Sequence, residues 1–521
     1  VGLPATHTRY DALGRVIALV DQLGNTTTTT YSPDGRTEFV RNPNTSTRIT
    51  TRSANGDTLS ITGSAVTPEF HTYGILPDGT RWSRTVQGET ANSPRFTKRY
   101  ENLLAQAVRE ERSGFQGAVL ATTHAYDSLG RLVSTSADCE PDTEYVYDTL
   151  GNRIATTRVV GRAGAPRTPQ SGETEWRMTE ILSSFVLEDS IVWLTQTNIV
   201  SCSDSTIAPL VSSSTRQLTG LTSALPARSH STDIRGNVTA NEMLVDSTIV
   251  TSSQTLPYAT NKPLSLSRYG VSLMDVSVSA VTNTVAYDSL GRQISNTDGR
   301  GNTSRTEYNA IGQRTASIDA LGNRTAYAYD QFGNLASVID PLGNATVYEY
   351  DLRGRKTYEG GATYPVRYTY DIFGNKTTMT TYRNESLGPN SGDVTTWLYD
   401  IASGSMTNKV YADGKGPTYT YTPDGKLSQR VWARGIATDY AYDGWGNLTN
   451  TVYSDDTPTV SIKYDALGRQ SEAHDAAGVT TFLYDSFGSL TNETVIGVAG
   501  TNTVIRHWDN YGRSLGYSLV G

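Results

Sequence analysis

The chain has 521 residues, a formal net charge of −8, and only 36% hydrophobic residues even with its 31 tyrosines counted. Adding the 47 glycines and setting the tyrosines aside still leaves it short of the about 45–50% of ordinary domains, so three or four solid cores cannot be filled. The acidic balance argues against nucleic-acid binding, no run of 18 apolar residues could span a membrane, and two cysteines, Cys139 and Cys202, exclude a disulfide framework.

Read from the start, Val1-Gly2-Leu3 is neither an initiator Met nor a signal-peptide core, so the chain reads as a piece of something longer. Across 1–160 a repeat emerges. Tyr10 and Tyr31 stand 21 apart, Tyr73 lies another 42 on, and Tyr126 and Tyr147 are again 21 apart. Position 52 is Arg, followed by a worn Asn55-Gly56-Asp57.

The segment 161–286 departs from the pattern. It opens with Gly161-Arg162-Ala163-Gly164-Ala165-Pro166, carries Trp176 and Trp193, and runs through Ser212-Ser213-Ser214-Thr215. One worn turn survives at Asp233-Ile234-Arg235-Gly236-Asn237-Val238, strand-like Ser190-Ile191-Val192-Trp193-Leu194-Thr195 persists, and no helical period appears. Diverged repeats continuing the same wall are expected here, with an inserted β domain as the alternative.

From 287 to 521 the repeat is plain. Tyr287-Asp288-Ser289-Leu290-Gly291-Arg292 is followed by the same string at Tyr308, Tyr329, Tyr350 and Tyr370, spaced 21, 21, 21 and 20. Halfway between fall Asp298-Gly299-Arg300-Gly301-Asn302, Asp319-Ala320-Leu321-Gly322-Asn323 and Asp340-Pro341-Leu342-Gly343-Asn344. Tyr399, Tyr421, Tyr442, Tyr464 and Tyr484 continue it, and Trp508-Asp509-Asn510-Tyr511-Gly512-Arg513 is a variant. A fixed period is the mark of a repeat architecture.

Local chemistry says what each half-unit of about 10.5 residues is. Asp at a turn's first position accepts from backbone N–H groups two residues on, and Gly three later closes the turn with positive φ. Between turns lie five or six alternating residues such as Arg324–Tyr329, which read as a half-buried strand. The expected fold is all-β: an antiparallel meander with tyrosine-aspartate turns along one edge and glycine-asparagine turns along the other. About 50 strands at about 4.8 Å each make a ribbon near 240 Å long, too long to stay open without curling. A spiral, hollow β-shell or barrel-like wall follows, with tyrosines laddered across strands.

The string Tyr-Asp-x-x-Gly-Arg/Asn at about 21-residue spacing resembles the YD-repeat or RHS-repeat family, which includes Tc-toxin B and C components, bacterial RHS and wall-associated proteins, and teneurin ectodomains. The resemblance covers 1–160 and 287–521 well and 161–286 weakly. It implies a hollow shell that encloses a C-terminal polypeptide in toxins and serves cell-surface adhesion in teneurins.

Other motifs weigh less. Gly512-Arg513-Ser514-Leu515-Gly516 matches a nucleophile elbow, but lies in a repeat turn with no helix behind it. Asp340-Pro341-Leu342-Gly343 looks like the element near which RHS cores self-cleave, yet Asn344 replaces the expected Leu and repeats continue beyond. The self-cleaving region is therefore expected to be missing or downstream. His7, His71, His124, His230, His474 and His507 lack ligand spacing, and Cys139 and Cys202 read as separate thiols. Asn25, Asn237, Asn323, Asn344, Asn375 and Asn447 form Asn-x-Thr/Ser strings that Gly-Asn turns before Thr-rich strands generate unaided. One Asp per turn is too few for a calcium loop.

No catalytic, cofactor-binding or metal residue is assigned, and the chain is expected not to be an enzyme. The expected role is a structural shell segment of a secreted or cell-surface protein that encapsulates or presents a C-terminal polypeptide. A cell-surface adhesion or glycan-binding scaffold and a filament-forming extracellular protein are the alternatives.

Overall fold

The computed structural model describes residues 5–160, 175–188, 191–218, 227–235, 238–243, 251–256, 284–361, 364–382, 392–497, 500–509 and 512–521. Among these residues there are 42 strands, one 3-10 turn at Phe115–Gly117, and no α-helix. The strands form two sheets, of 20 and 22 members, within which neighbours pair antiparallel in chain order. The expected all-β meander is what the chain adopts.

The period has a structural origin. Across 293–350 the strands entering a tyrosine-aspartate turn have six residues, Thr303–Tyr308, Arg324–Tyr329 and Ala345–Tyr350. Those leaving such a turn have five, Gln293–Thr297, Arg314–Ile318 and Leu335–Ile339. The odd residue is absorbed at the tyrosine. Ala328 pairs with Ser337 but Tyr329 with Leu335, and the same slip recurs at Tyr287, Tyr308, Tyr350 and Tyr370. Pairs joined by the opposite turns, such as Ile318 with Arg324, keep an unbroken register. In these repeats the bulge falls on the tyrosine edge, and a bulge raises local twist.

Along Ala345–Tyr350 exposure alternates: Thr346, Tyr348 and Tyr350 are partly covered, whereas Ala345, Val347 and Glu349 face solvent. Buried hydrophobic side chains are few among the described residues, and small ones, Ala18, Ala107, Ala155, Ala316 and Ala402, are prominent among them. The thin apolar supply covers one face of a ribbon without building a thick core. The tyrosines that precede the turns send their hydroxyls to a carbonyl upstream on the neighbouring hairpin, most often 15 residues back. Tyr308 reaches Gln293, Tyr329 reaches Arg314 and Tyr350 reaches Leu335, at 3.1, 2.9 and 2.8 Å.

Between 175 and 217 the strands lengthen. Glu175–Glu188 and Ile191–Cys202 pair across twelve positions, and Trp193 within them is buried. Leu210–Gln217, Ala227–Thr232, Val238–Met243 and Thr251–Leu256 continue the antiparallel order. The Gly161–Pro166 string, Ser190, Gly236 and Asn237 lie outside the described residues.

Two compact units emerge, each drawing strands from both sheets. One comprises Val1–Gln106, Glu110–Val119 and Val278–Lys426; the other comprises Ala107–Arg109, Leu120–Ser277 and Leu427–Gly521.

The glycine that closes each turn is there for its backbone. Gly322 sits at φ +89° with open space around a would-be Cβ, so Gly322→Ala tests conformation alone. It is expected to cost about 1–2 kcal/mol. Thr45 holds the same turn position at φ 69° with a β-branched side chain, so Thr45→Gly should stabilise by a comparable amount. Urea unfolding of both variants, opposite in sign, checks the pair.

Candidate functional site

The aspartate turns close on their own carboxylate. Asp11 Oδ1 accepts from the N–H of Leu13 and of Arg15, both at 2.9 Å, and Oδ2 accepts from Arg15 Nε at 2.7 Å. After such an aspartate the residue following the glycine is most often Arg or Asn, whose side chain donates to Oδ2. Arg131, Arg292, Arg355, Arg469 and Arg513 repeat the 2.7 Å contact. Asn302, Asn323 and Asn344 do the same with Nδ2 at 2.9, 2.7 and 2.8 Å. Where Asn replaces Asp the polarity inverts, and Asn309 Nδ2 donates to Gln313 Oε1 at 2.8 Å.

These contacts hold the carboxyls of Asp11, Asp127 and Asp288 below the ordinary 3.8, first through the backbone N–H of the following arginine, with desolvation opposing. At Asp298, Asp319 and Asp340 the asparagine side chain is the leading cause. A depressed native pKa means the unfolded chain binds more protons, so this stability is fully present above the ordinary aspartate value and is lost as pH falls below it through the depressed one. Because Asp11, Asp127, Asp148, Asp288, Asp298, Asp319, Asp340 and Asp351 all carry the device, the urea midpoint is expected to fall steeply below about pH 4 and to stay flat from there to neutrality. A midpoint that also declines between pH 5 and 7 would require a different group.

The arginines also tie one repeat to the next. Arg292 lies 4.8 Å from the Tyr308 ring centroid and donates Nη1 to Asn309 O at 3.1 Å; Arg355 does the same to Tyr370, at 4.7 Å, and to Asp371 O, at 2.8 Å. In these pairs the ring face is taken by a cation and the hydroxyl by a carbonyl.

The third feature is a seam between the two sheets inside each unit. In the first unit, turns on the edge of the 20-stranded sheet opposite the tyrosines meet tyrosine-aspartate turns of the 22-stranded sheet. Asn25 Nδ2 donates to Gln331 O at 2.7 Å, Asn44 Nδ2 to Leu352 O at 2.9 Å, Thr67 Oγ1 to Ile372 O at 2.8 Å and Arg95 Nε to Ile401 O at 3.2 Å. The Phe115 N–H donates to Pro423 O at 3.2 Å. Every acceptor is the carbonyl of the residue just after the turn's first residue. The separation in the four side-chain bonds is 306, 308, 305 and 306 residues, so two ribbons of equal period run in step. Arg353 reinforces the line, donating to Ser64 O, Val66 O and Ile372 O at 3.0, 2.6 and 2.6 Å. The Arg95 guanidinium also lies 4.0 Å from the Phe373 ring centroid.

The second unit repeats the arrangement. Arg177 donates to Ala466 O at 2.7 Å and lies 4.0 Å from the Trp445 ring centroid. Arg235 pairs with Asp485 at 3.5 Å, bonds Ser489 and lies over Phe487. An aromatic two residues after a turn's Asp is thus a landing place for an arginine.

Residues singled out from sequence fall into place around these features. Asp340 Oδ1 accepts from Leu342 and Asn344 N–H, as an ordinary turn residue. Ser514 opens the exposed strand Ser514–Val520. No disulfide joins Cys139 and Cys202. His71, His124 and His507 bond Thr85, Thr135 and Ser518, and His474 pairs with Glu472; the side chain of His230 lies outside the described residues. Asn25, Asn323, Asn344, Asn375 and Asn447 commit their amides to their turns. Among the described residues no three His, Cys, Asp or Glu side chains gather as a metal site, and no helix is long and apolar enough to cross a membrane. Sequence reasoning missed Arg95, Arg177, Arg235 and Arg353. Arg353 had a signal, since it stands where Leu13, Phe332 and Phe373 stand in sister turns.

With this geometry in hand, comparison with known proteins adds a name. The RHS Repeat family model matches residues 308–345 and 329–362. Residues 308–362 are RHS repeats. No curated protein matches the chain. Two crystal structures, of TcdB2-TccC3-Cdc42 and of TcdB2-TccC3-TEV, align over 99% of this chain with TM-scores of 0.56 at 13% and 12% identity. The likeness is one of fold. The chain spans 34% of the length of each of those chains. RHS-type turns and the seam they build are thus the repeating features of this molecule.

Proposed function

We propose that the chain is a wall segment of a longer, secreted RHS-repeat protein whose sheets enclose a polypeptide carried by that longer chain. The observation that carries this reading is the seam. Its acceptors are backbone carbonyls presented by Gln331, Leu352, Ile372, Ile401, Pro423 and Ala466, so docking is independent of side-chain identity there. Such a seam lets ribbon lie on ribbon indefinitely, which is what a partition needs and a catalytic pocket does not. Among similarly folded structures, one bears Cdc42 beside TcdB2 and TccC3, which supports a wall that works together with further polypeptide. The role is mechanical: to keep proteases and solvent from what lies behind it.

Limited proteolysis of the longer protein tests this. The polypeptide following the repeats should resist protease levels that digest it in isolation, and should become sensitive only when the wall unfolds. Digestion at the same rate with and without the wall would reject enclosure.

A further inference from the structure

A ladder of rings and cations crosses one face of the 22-stranded sheet within the first unit. Tyr348, Tyr368 and Trp397 each stand two residues before a turn tyrosine and so share its face. They lie on alternate strands, Ala345–Tyr350, Val366–Tyr370 and Asp393–Tyr399, and paired strands continue on both sides. A lysine ammonium stands beside these rings on each intervening strand. Lys356 Nζ lies 5.4 Å from the Tyr348 and 5.8 Å from the Tyr368 ring centroid. Lys376 lies 4.0 Å from Tyr368 and 5.9 Å from Trp397. Lys409 lies 5.9 Å from Trp397 and 4.7 Å from Tyr411. All three lysines are half-buried, held in place yet within reach of a ligand.

A ring face attracts the ammonium but accepts little from its three N–H donors. Lys356 has an acceptor: Glu359, on the same strand, bonds the ammonium and is the leading reason Lys356 titrates above the ordinary 10.5. Among the described residues no carboxylate pairs with Lys376 or Lys409. Burial and then the charge of Lys356 hold Lys376 below 10.5. The ladder therefore holds one rung with a carboxylate on it and two rungs of the same build without one.

Spacing selects the carrier. Alternate strands are about 9.6 Å apart, and the ammoniums follow at about that interval. Acids on one face of a β-strand recur about every 6.7 Å, out of step with it. A polyproline II segment completes a turn in three residues, so acids at every third residue line one face about 9.3 Å apart. Aromatic-lined surfaces are also where such segments dock, because the bound form costs little ordering entropy.

We propose that the face carrying Lys376 and Lys409 binds an extended, proline-rich acidic peptide in polyproline II form, with a carboxylate at every third residue. The two ammoniums take successive carboxylates, and Trp397, standing between them, meets the proline that separates those acids. This chemistry is the ladder's own and is independent of what the wall encloses.

Fluorescence anisotropy with a labelled peptide of Glu-Pro-Pro repeats tests it on the 521-residue chain. The peptide should bind, less tightly as salt is raised. Glu-Pro repeats, which put the acids out of register, and Lys-Pro-Pro repeats should bind at least about tenfold more weakly, the worth of one charge-assisted hydrogen bond. Lys376→Gln combined with Lys409→Gln should weaken the Glu-Pro-Pro complex by at least as much, with circular dichroism unchanged. Glu359→Gln frees the third ammonium and should tighten binding severalfold, a gain that misfolding cannot produce. A parent chain that does not bind, equal affinity for the control peptides, undiminished binding by the double variant or no gain from Glu359→Gln would each overturn the proposal. So would tighter binding of an anionic polysaccharide, with polygalacturonate as the probe, than of the peptide.

Discussion

Arg353→Ala is expected to destabilise the first unit by about 2–4 kcal/mol, with faster amide exchange both near residues 58–75 and near 345–381. One guanidinium donates to three carbonyls, Ser64, Val66 and Ile372, from two sheets. Bonds from a charged donor contribute about 1.5–3 kcal/mol each, and partial exposure lets water recover some of that. Arg353→Lys should recover less than half, because an ammonium cannot hold three acceptors in the guanidinium's fixed planar fork. Hydrogen exchange by mass spectrometry is the direct readout: a structural role confined to one turn would loosen only 345–361, whereas the seam requires both segments to loosen together.

The second large effect is expected at Phe115. Its side chain is 7% exposed, and its ring meets Tyr421 edge-on at 5.3 Å between centroids. Its own N–H and the Ser113 hydroxyl bond Pro423 O and Ala402 O, at 3.2 and 2.8 Å. Phe115→Ala should cost about 3–5 kcal/mol, the usual penalty for emptying a buried aromatic site. Phe115→Leu keeps most of the area and should lose mainly the edge-to-face contact, about 0.5–1.5 kcal/mol. Thermal unfolding followed by circular dichroism gives the ranking, with exchange in Thr418–Tyr421 locating it. Equal losses for both variants would mean that the ring's geometry, and not its volume, holds this point.

How much of this is legible in the sequence depends on the distance over which each contact acts. The Asp11 turn closes within five residues, so its chemistry shows as Asp-x-x-Gly-Arg. The Tyr329 contact with Arg314 reaches back one hairpin, and the constant tyrosine spacing makes that neighbour predictable. The split into six-residue and five-residue strands is written in the intervals 288, 298, 309, 319 and 330, but becomes intelligible only when the bulges at Tyr308 and Tyr329 are seen. The seam leaves almost no trace. Its partners are 250–308 residues apart, and its acceptors are mostly backbone carbonyls, which every residue has. The arginines that complete it sit where the repeat is irregular: Arg95 after the long 88–94 connection, Arg177 beyond 161–174, and Arg353 in a turn position usually apolar. Irregularity inside a regular repeat was the available signal.

Register-specific cross-linking tests the seam most directly. In a background with Cys139 and Cys202 replaced by serine, cysteine pairs at 25 and 331 and at 44 and 352 should join rapidly through a short bismaleimide. The crossed pairs, 25 with 352 and 44 with 331, should not. Equal yields from matched and crossed pairs, or none from the matched ones, would show that the two ribbons do not run in step.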